Sequence, residues 1–263
     1  MNIHIAPSHP PPRVIARNRA AVMEELRRLL PGSARVSTAF PLGLAAIDSC
    51  LPEGGLACGA THEIVADTEN ATAAAFGFIM ALLARLPRFH PLIFVMPVYV
   101  QRRYGRLHGH GLNALGLDPA RLIMVETAHR KEALWAMEEA LRSRVPAAVA
   151  GLIDKLDLKL SQRLQLAAVD AGLPLLLLRL AQNLESSAAA TRWRVGTAEA
   201  ARDRFGLITR PRWYLKLERC RNGRPGEWVV EYDHVTHRFS LVAALADSAL
   251  SRGAGSEPVR QAC

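Results

Sequence analysis

ATHEIVADTENATAAAFGFIMALLAR, residues 60–85, is the stretch from which the fold of this chain is read. Residues 61–65 have the β-branched and apolar character of a strand. Residues 66–71 are a polar loop that offers Thr68 and Asn70 as helix N-caps. Residues 73–86 are rich in Ala, Leu, Phe and Met at helical spacing. In a nucleotide-binding α/β protein, the loop between such a strand and helix carries G-x-x-x-x-G-K-[ST]. Its backbone amides surround phosphate, while the lysine and hydroxyl manage charge and magnesium. Here Ala66 and Ala71 stand in the glycine places, Thr72 in place of the lysine and Ala73 in place of the hydroxyl. Asp67 and Glu69 add negative charge between them. At roughly 5 Å and an effective dielectric near 20, each carboxylate repels one phosphate charge by about 3 kcal/mol. That exceeds the ~1 kcal/mol a helix N-terminus offers an anion. The loop Ala66, Asp67, Thr68, Glu69, Asn70, Ala71 and Thr72 therefore reads as a degenerate nucleotide loop, or as an ordinary strand-loop-helix that never held nucleotide.

Outward from this unit, short apolar runs recur at 92–96, 122–125, 147–153 and 174–178, with helical patterns at 102–115, 131–144 and 161–171 between them. Strands alternating with helices imply a parallel sheet covered on both faces. The alternation then stops. Residues 192–195, 213–219 and 228–232 read as strands, the last two joined through Asn222-Gly223 as a hairpin. Upstream, residues 1–12 are proline-rich, and 13–30 form an amphipathic helix that ends at Pro31-Gly32. The expected division is a lead and arm over 1–35, an α/β domain over 36–243 and a loose tail over 244–263.

The chain has 263 residues, half of them hydrophobic, enough for one sizeable core. Its four cysteines are scattered without C-x-x-C spacing, and no apolar run is long enough for a membrane span. These features predict a cytoplasmic protein with no membrane association. The formal net charge of +9 raises the odds of an acidic or nucleic-acid partner without specifying a fold. The histidine pairs His108/His110 and His234/His237 lack cysteine or carboxylate partners at ligand spacing, so neither a metal nor another cofactor is expected. Asp154, beside the run 147–153, is a candidate acid, with a strand-end residue paired to Lys155 as the alternative. No carboxylate stands at Met96-Pro97-Val98-Tyr99, where an ATPase of RecA type holds the base that activates water.

Residues 37–64, STAFPLGLAAIDSCLPEGGLACGATHEI, combine G-x-x-x-I-D with a G-G-L-x-x-G turn and resemble the approach to a RecA-like core. This block resembles the ImuA family, as do GLNALGLDPARLIMVETAHRKEALWAMEEALRS, LSQRLQLAAVDAGLPLLLLR, SSAAATRWRV and RPRWYLKLERCRNGRPGEWVVEYD. The resemblance implies a RecA-like domain and a non-catalytic role in SOS-induced translesion synthesis. Implied partners are an ImuB-like Y-family polymerase homologue, an error-prone C-family polymerase and RecA, with single-stranded DNA as a further candidate. Two cations spaced like Arg219 and Arg221 reach a neighbour's phosphates in RecA relatives. Arg219 and Arg221, with Arg192, Arg194 and Lys216, are therefore candidates to contact a partner or DNA, the alternative being a solvated strand face with indoles capping the core. The preceding residues 186–190 read as flexible enough to order on a ligand. Trp135 is expected half-buried beside a Leu134, Met137 and Leu141 stripe, with Glu138 and Glu139 facing solvent. The rival readings are an atypical DNA-dependent ATPase, a SulA-like division inhibitor and a plain DNA-binding module.

Overall fold

Polar residues open the central strand of the sheet, and the rest of the fold is arranged to bury them. The computed structural model describes residues 39–179 and 186–242; the arm over 1–35 and the tail over 244–263 lie outside the described residues. A two-residue strand β1 (Ala39–Phe40) pairs antiparallel with β2 (Leu56–Ala57), bracketing the short helix α1 (Ala45–Asp48). The aspartate of G-x-x-x-I-D holds this turn. The Asp48 carboxylate accepts from the backbone N–H of Leu42, Gly43 and Leu44 at 2.8, 2.9 and 3.0 Å. Gly43 takes φ +79, a conformation that disfavours other residues.

Next come β3 (Thr61–Ala66), α2 (Thr72–Leu83), β4 (Leu92–Pro97), α3 (Val98–Tyr104), α4 (Gly109–Ala114) and β5 (Leu122–Thr127). They are followed by α5 (Arg130–Ser143), β6 (Ala148–Ile153), α6 (Leu158–Ala171) and β7 (Leu175–Arg179). The chain continues through β8 (Thr191–Thr197), β9 (Ala201–Arg202), β10 (Ile208–Arg210), β11 (Arg212–Cys220), β12 (Gly226–Asp233) and β13 (Arg238–Leu241). The main sheet has the order β13-β12-β11-β8-β3-β7-β6-β4-β5. Pairing is parallel from β5 to β8 and antiparallel from β8 to β13. The expected mixed α/β class, with a mostly parallel sheet, flanking helices and late antiparallel strands, is the observed one.

Each parallel strand sends alternate residues into two cores. Ile64, Phe94, Leu176, Leu178 and Trp193 pack with α2, while Val95, Val149, Leu175 and Leu177 pack with Met137 and Leu141 of α5 and Leu164 of α6. Gly151 of β6 is needed because a Cβ there would meet the Met137 Cε at 2.1 Å and the Val95 carbonyl oxygen at 2.9 Å.

Several expectations need correction. The helix expected over 102–115 is two helices, parted where Gly105 adopts φ +89. Thr68 caps the 3-10 turn Glu69–Ala71, but α2 starts from Ala71 with no side-chain cap, so Asn70 does not serve as one. Strands β1, β2, β9, β10 and β13 are additions, all of four residues or fewer and too short for an apolar period to register.

Candidate functional site

Parallel strands in an open α/β sheet place ligands beyond their carboxyl ends, and β3 delivers the loop 66–72 to that position. Both threonines of the loop bond within it. The Ala71 N–H donates to the Thr68 carbonyl at 3.0 Å and to its hydroxyl at 3.3 Å. The Thr72 hydroxyl, where a phosphate-binding lysine would stand, is buried and donates to the Glu69 carbonyl at 2.7 Å. Ala66 and Ala71 are likewise buried. Asp67 donates its backbone N–H to the Val195 carbonyl at 2.8 Å, which ties the loop to β8. The loop has no cation of its own, but Arg103 of α3 reaches across to form an ion pair with Glu69.

Behind the loop lies a cavity of about 150 Å³ lined by Thr72, Phe76, Met96, Leu152 and Leu178 together with residues 104–107. Ordinary ligand pockets run roughly 300–1,000 Å³. The break between α3 and α4 is what brings residues 104–107 over this space. Asp154 follows β6 directly; its carboxylate accepts from the Lys155 backbone N–H at 2.7 Å. The Tyr99 phenol faces the Asp154 carboxylate, and burial followed by this charge raises the phenol to about 12. Asp154 thus stands at the end of the strand, bonded to the backbone of Lys155.

The five cations singled out in the late strands fall into two groups. Arg194 pairs with Glu218 at 2.6 Å and Lys216 with Glu227 at 2.5 Å, both across strands of the sheet's open face. Arg192, Arg219 and Arg221 converge instead on residues 187–190. Glu63, wholly buried in β3, accepts from Arg179 at 2.7 Å, from Arg192 at 2.8 Å and from the Ser187 hydroxyl at 2.9 Å. Arg219 donates to the carbonyls of Ser187 and Ala189 at 2.9 and 2.8 Å, and Arg221 to that of Ala188 at 3.1 Å. Burial, then the neighbouring Arg192, lowers the Arg219 pKa. Residues 187–190 are therefore not waiting for a ligand to order them, as the sequence suggested; three arginines, Glu63 and Ser161 of the same chain hold them.

This buried group escaped the sequence reading, although one signal was present: His-Glu in a strand of the fully buried parallel kind. His62 is as buried as Glu63. Its Nε2 donates to the Ala57 carbonyl at 2.9 Å, and its Nδ1 accepts from the Thr191 hydroxyl at 2.8 Å, which in turn accepts from the Trp193 indole at 3.0 Å. Burial lowers the His62 pKa to about 4.

On α5 the stripe of Leu134, Met137 and Leu141 is buried as expected. Two neighbours depart from expectation. Trp135 is 61% exposed, and Glu138 is 4% exposed, bridged to Arg142 and Arg163. Glu139 pairs with Arg142 at 2.8 Å. His108 and His110 are exposed and stack at 5.3 Å where α4 begins, while His237 meets the Tyr232 hydroxyl at 3.2 Å. Among the described residues, no three or more His, Cys, Asp and Glu gather so as to hold a metal, and no helix is long and apolar enough to cross a membrane.

No family model matches the chain. It is 36% identical over 234 residues to Protein ImuA of Caulobacter vibrioides strain NA1000 / CB15N, an alignment covering 82% of this chain and 93% of that protein. Protein ImuA of strain ATCC 19089 / CIP 103742 / CB 15 matches to the same extent.

Proposed function

This chain belongs to the ImuA family, and on that premise we propose that it is a non-catalytic accessory protein of SOS-induced translesion DNA synthesis, acting in the cytoplasm. Its work is to dock an ImuB-like polymerase homologue and an error-prone C-family polymerase, and to bring them to RecA at stalled templates. The observation that carries the non-catalytic part is the closure of the phosphate loop on itself. Thr68 and Thr72 make their side-chain bonds inside the loop, no cation of the loop faces a phosphate, and the space behind it, lined in part by residues 104–107, is only about 150 Å³.

Calorimetric titration with ATP and magnesium tests this, with no heat of binding expected up to millimolar nucleotide. Micromolar binding with turnover overturns it and favours an atypical DNA-dependent ATPase. Co-purification with the ImuB-like protein, compared with the division GTPase, separates the adaptor from a SulA-like inhibitor. Contact by Arg192, Arg194, Lys216, Arg219 and Arg221 belongs to the same proposal, with each residue already engaged inside the chain. Arg219 and Arg221 are the exposed members of the group that meets 187–190, and Arg221, with a single side-chain bond there, is the more lightly held. Replacing it with alanine is expected to lower the salt slope of single-stranded DNA binding if DNA is touched there.

A further inference from the structure

Helices α5 and α6 leave a groove between them that the degenerate loop and the late strands do not share. Two cavities of about 750 and about 440 Å³ line up along it and meet at Glu138 and Arg163. The buried Glu138 carboxylate bonds Arg142 of its own helix and Arg163 of α6, and each guanidinium stays more than half exposed. Two cations are thus held at the groove floor by an anion that solvent does not reach. Further along stand Arg130, Lys131, Arg144 and Lys159. Among the described residues, no carboxylate pairs with Lys131 or Lys159. Apolar surface lies among these charges: Trp135 is 61% and Leu166 64% exposed.

We propose that this groove is a docking site for an acidic segment of a protein partner, one that carries aliphatic side chains on one face and lies along the two helices. Charge sets the sign of the occupant. The described groove carries six cations against Glu138, Asp157 and Asp170. The chain's own arm has the wrong sign, since residues 1–38 hold six arginines and two glutamates. A second copy, at +9, is repelled as well. Among the groove's lining residues Trp135 is the one aromatic ring, beside Leu134, Leu160 and Leu166. A single-stranded nucleic acid gains most from successive aromatic platforms. An amphipathic helix gains from an apolar stripe between charges.

The inference rests on the adaptor reading and identifies the surface that reading requires. Its test is separate. The full chain is titrated with a labelled peptide of about 14 residues, whose helix spans the groove, with leucine at i, i+3, i+4 and i+7 and glutamate elsewhere. A lysine version of the same peptide and an oligothymidylate serve as the other arms. Trp135 is the most exposed indole and reports occupancy by its emission. The acidic peptide is expected to bind, and the Lys131→Glu/Lys159→Glu pair and, separately, Trp135→Ala each to weaken it about tenfold. All three side chains are exposed, so folding is retained, which circular dichroism checks. Peptide binding that survives both variants overturns the proposal. So does an oligothymidylate that binds and loses more than the peptide to the charge reversals. Failure here with ATP binding still absent leaves the adaptor reading standing, and nucleotide turnover with intact peptide binding removes only the latter.

Discussion

Strand β6 and strand β11 share one sheet and answer to different surroundings. All six residues of Ala148–Ile153 are buried, because α5 and α6 cover one face and the α2 side covers the other. In Arg212–Cys220 burial alternates: Trp213, Leu215 and Leu217 face the core, while Arg212, Lys216 and Glu218 face outward. A doubly covered strand cannot carry charge without an internal partner, whereas a half-covered strand pairs its charges laterally in water. Glu63 lies at the boundary, where the helices run out and the arginines begin. The same carboxylate-guanidinium chemistry is therefore expected to matter greatly on one side of β8 and little on the other.

Breaking the buried side comes first. Glu63→Ala strands guanidinium charge inside the fold and is expected to cost about 3–5 kcal/mol in chemical denaturation. Acid attacks the same region more gradually. Neutral His62 has a folded pKa of about 4 against an ordinary value of 6.5, so the unfolded chain takes up its proton first. The stabilising effect of the neutral form is complete above pH 6.5, erodes as the pH falls and is gone near 4. The loss is roughly 3 kcal/mol, read from denaturant midpoints across that window. Gly151→Ala tests the doubly covered strand without touching charge. The added methyl collides with Met137 and the Val95 carbonyl, and a destabilisation of about 1–3 kcal/mol is expected. On the open face, Glu227→Gln removes the partner of Lys216 and Tyr214. Its effect is expected to be small beside that of Glu63→Ala and to fade in high salt, which sharpens the contrast with Glu63.

How far the sequence could be read follows the same boundary. The runs 92–96 and 174–178 were legible because these stretches, buried on both faces of the sheet, are apolar. The hairpin at Asn222-Gly223 was legible because turn chemistry is local, and Asn222 indeed takes φ 62. The position of Trp135 was not. It adjoins the stripe residue Leu134 in sequence, yet one helical step of about 100° turns it away from the core. Arg192, Arg219 and Arg221 were visible as a basic cluster but not as internal bonds. Their acceptors, Glu63 and the carbonyls of 187–190, are either remote in the chain or backbone groups that any residue presents. The break at Gly105 was concealed by flanks with good helical pattern, so the part that residues 104–107 take in lining the cavity behind Thr72 was hidden as well.

The position of β3 has a consequence during synthesis. It emerges early from the ribosome, yet its two neighbours begin only at Leu175 and Thr191. At about 5–20 residues per second, the strand stays unzipped on both edges for on the order of ten seconds. A fully aliphatic hexamer in that state invites aggregation. Thr61, His62 and Glu63 make the nascent segment hydrophilic for the interval, and their later partners, Thr191, Arg179 and Arg192, arrive with the very strands that end the wait.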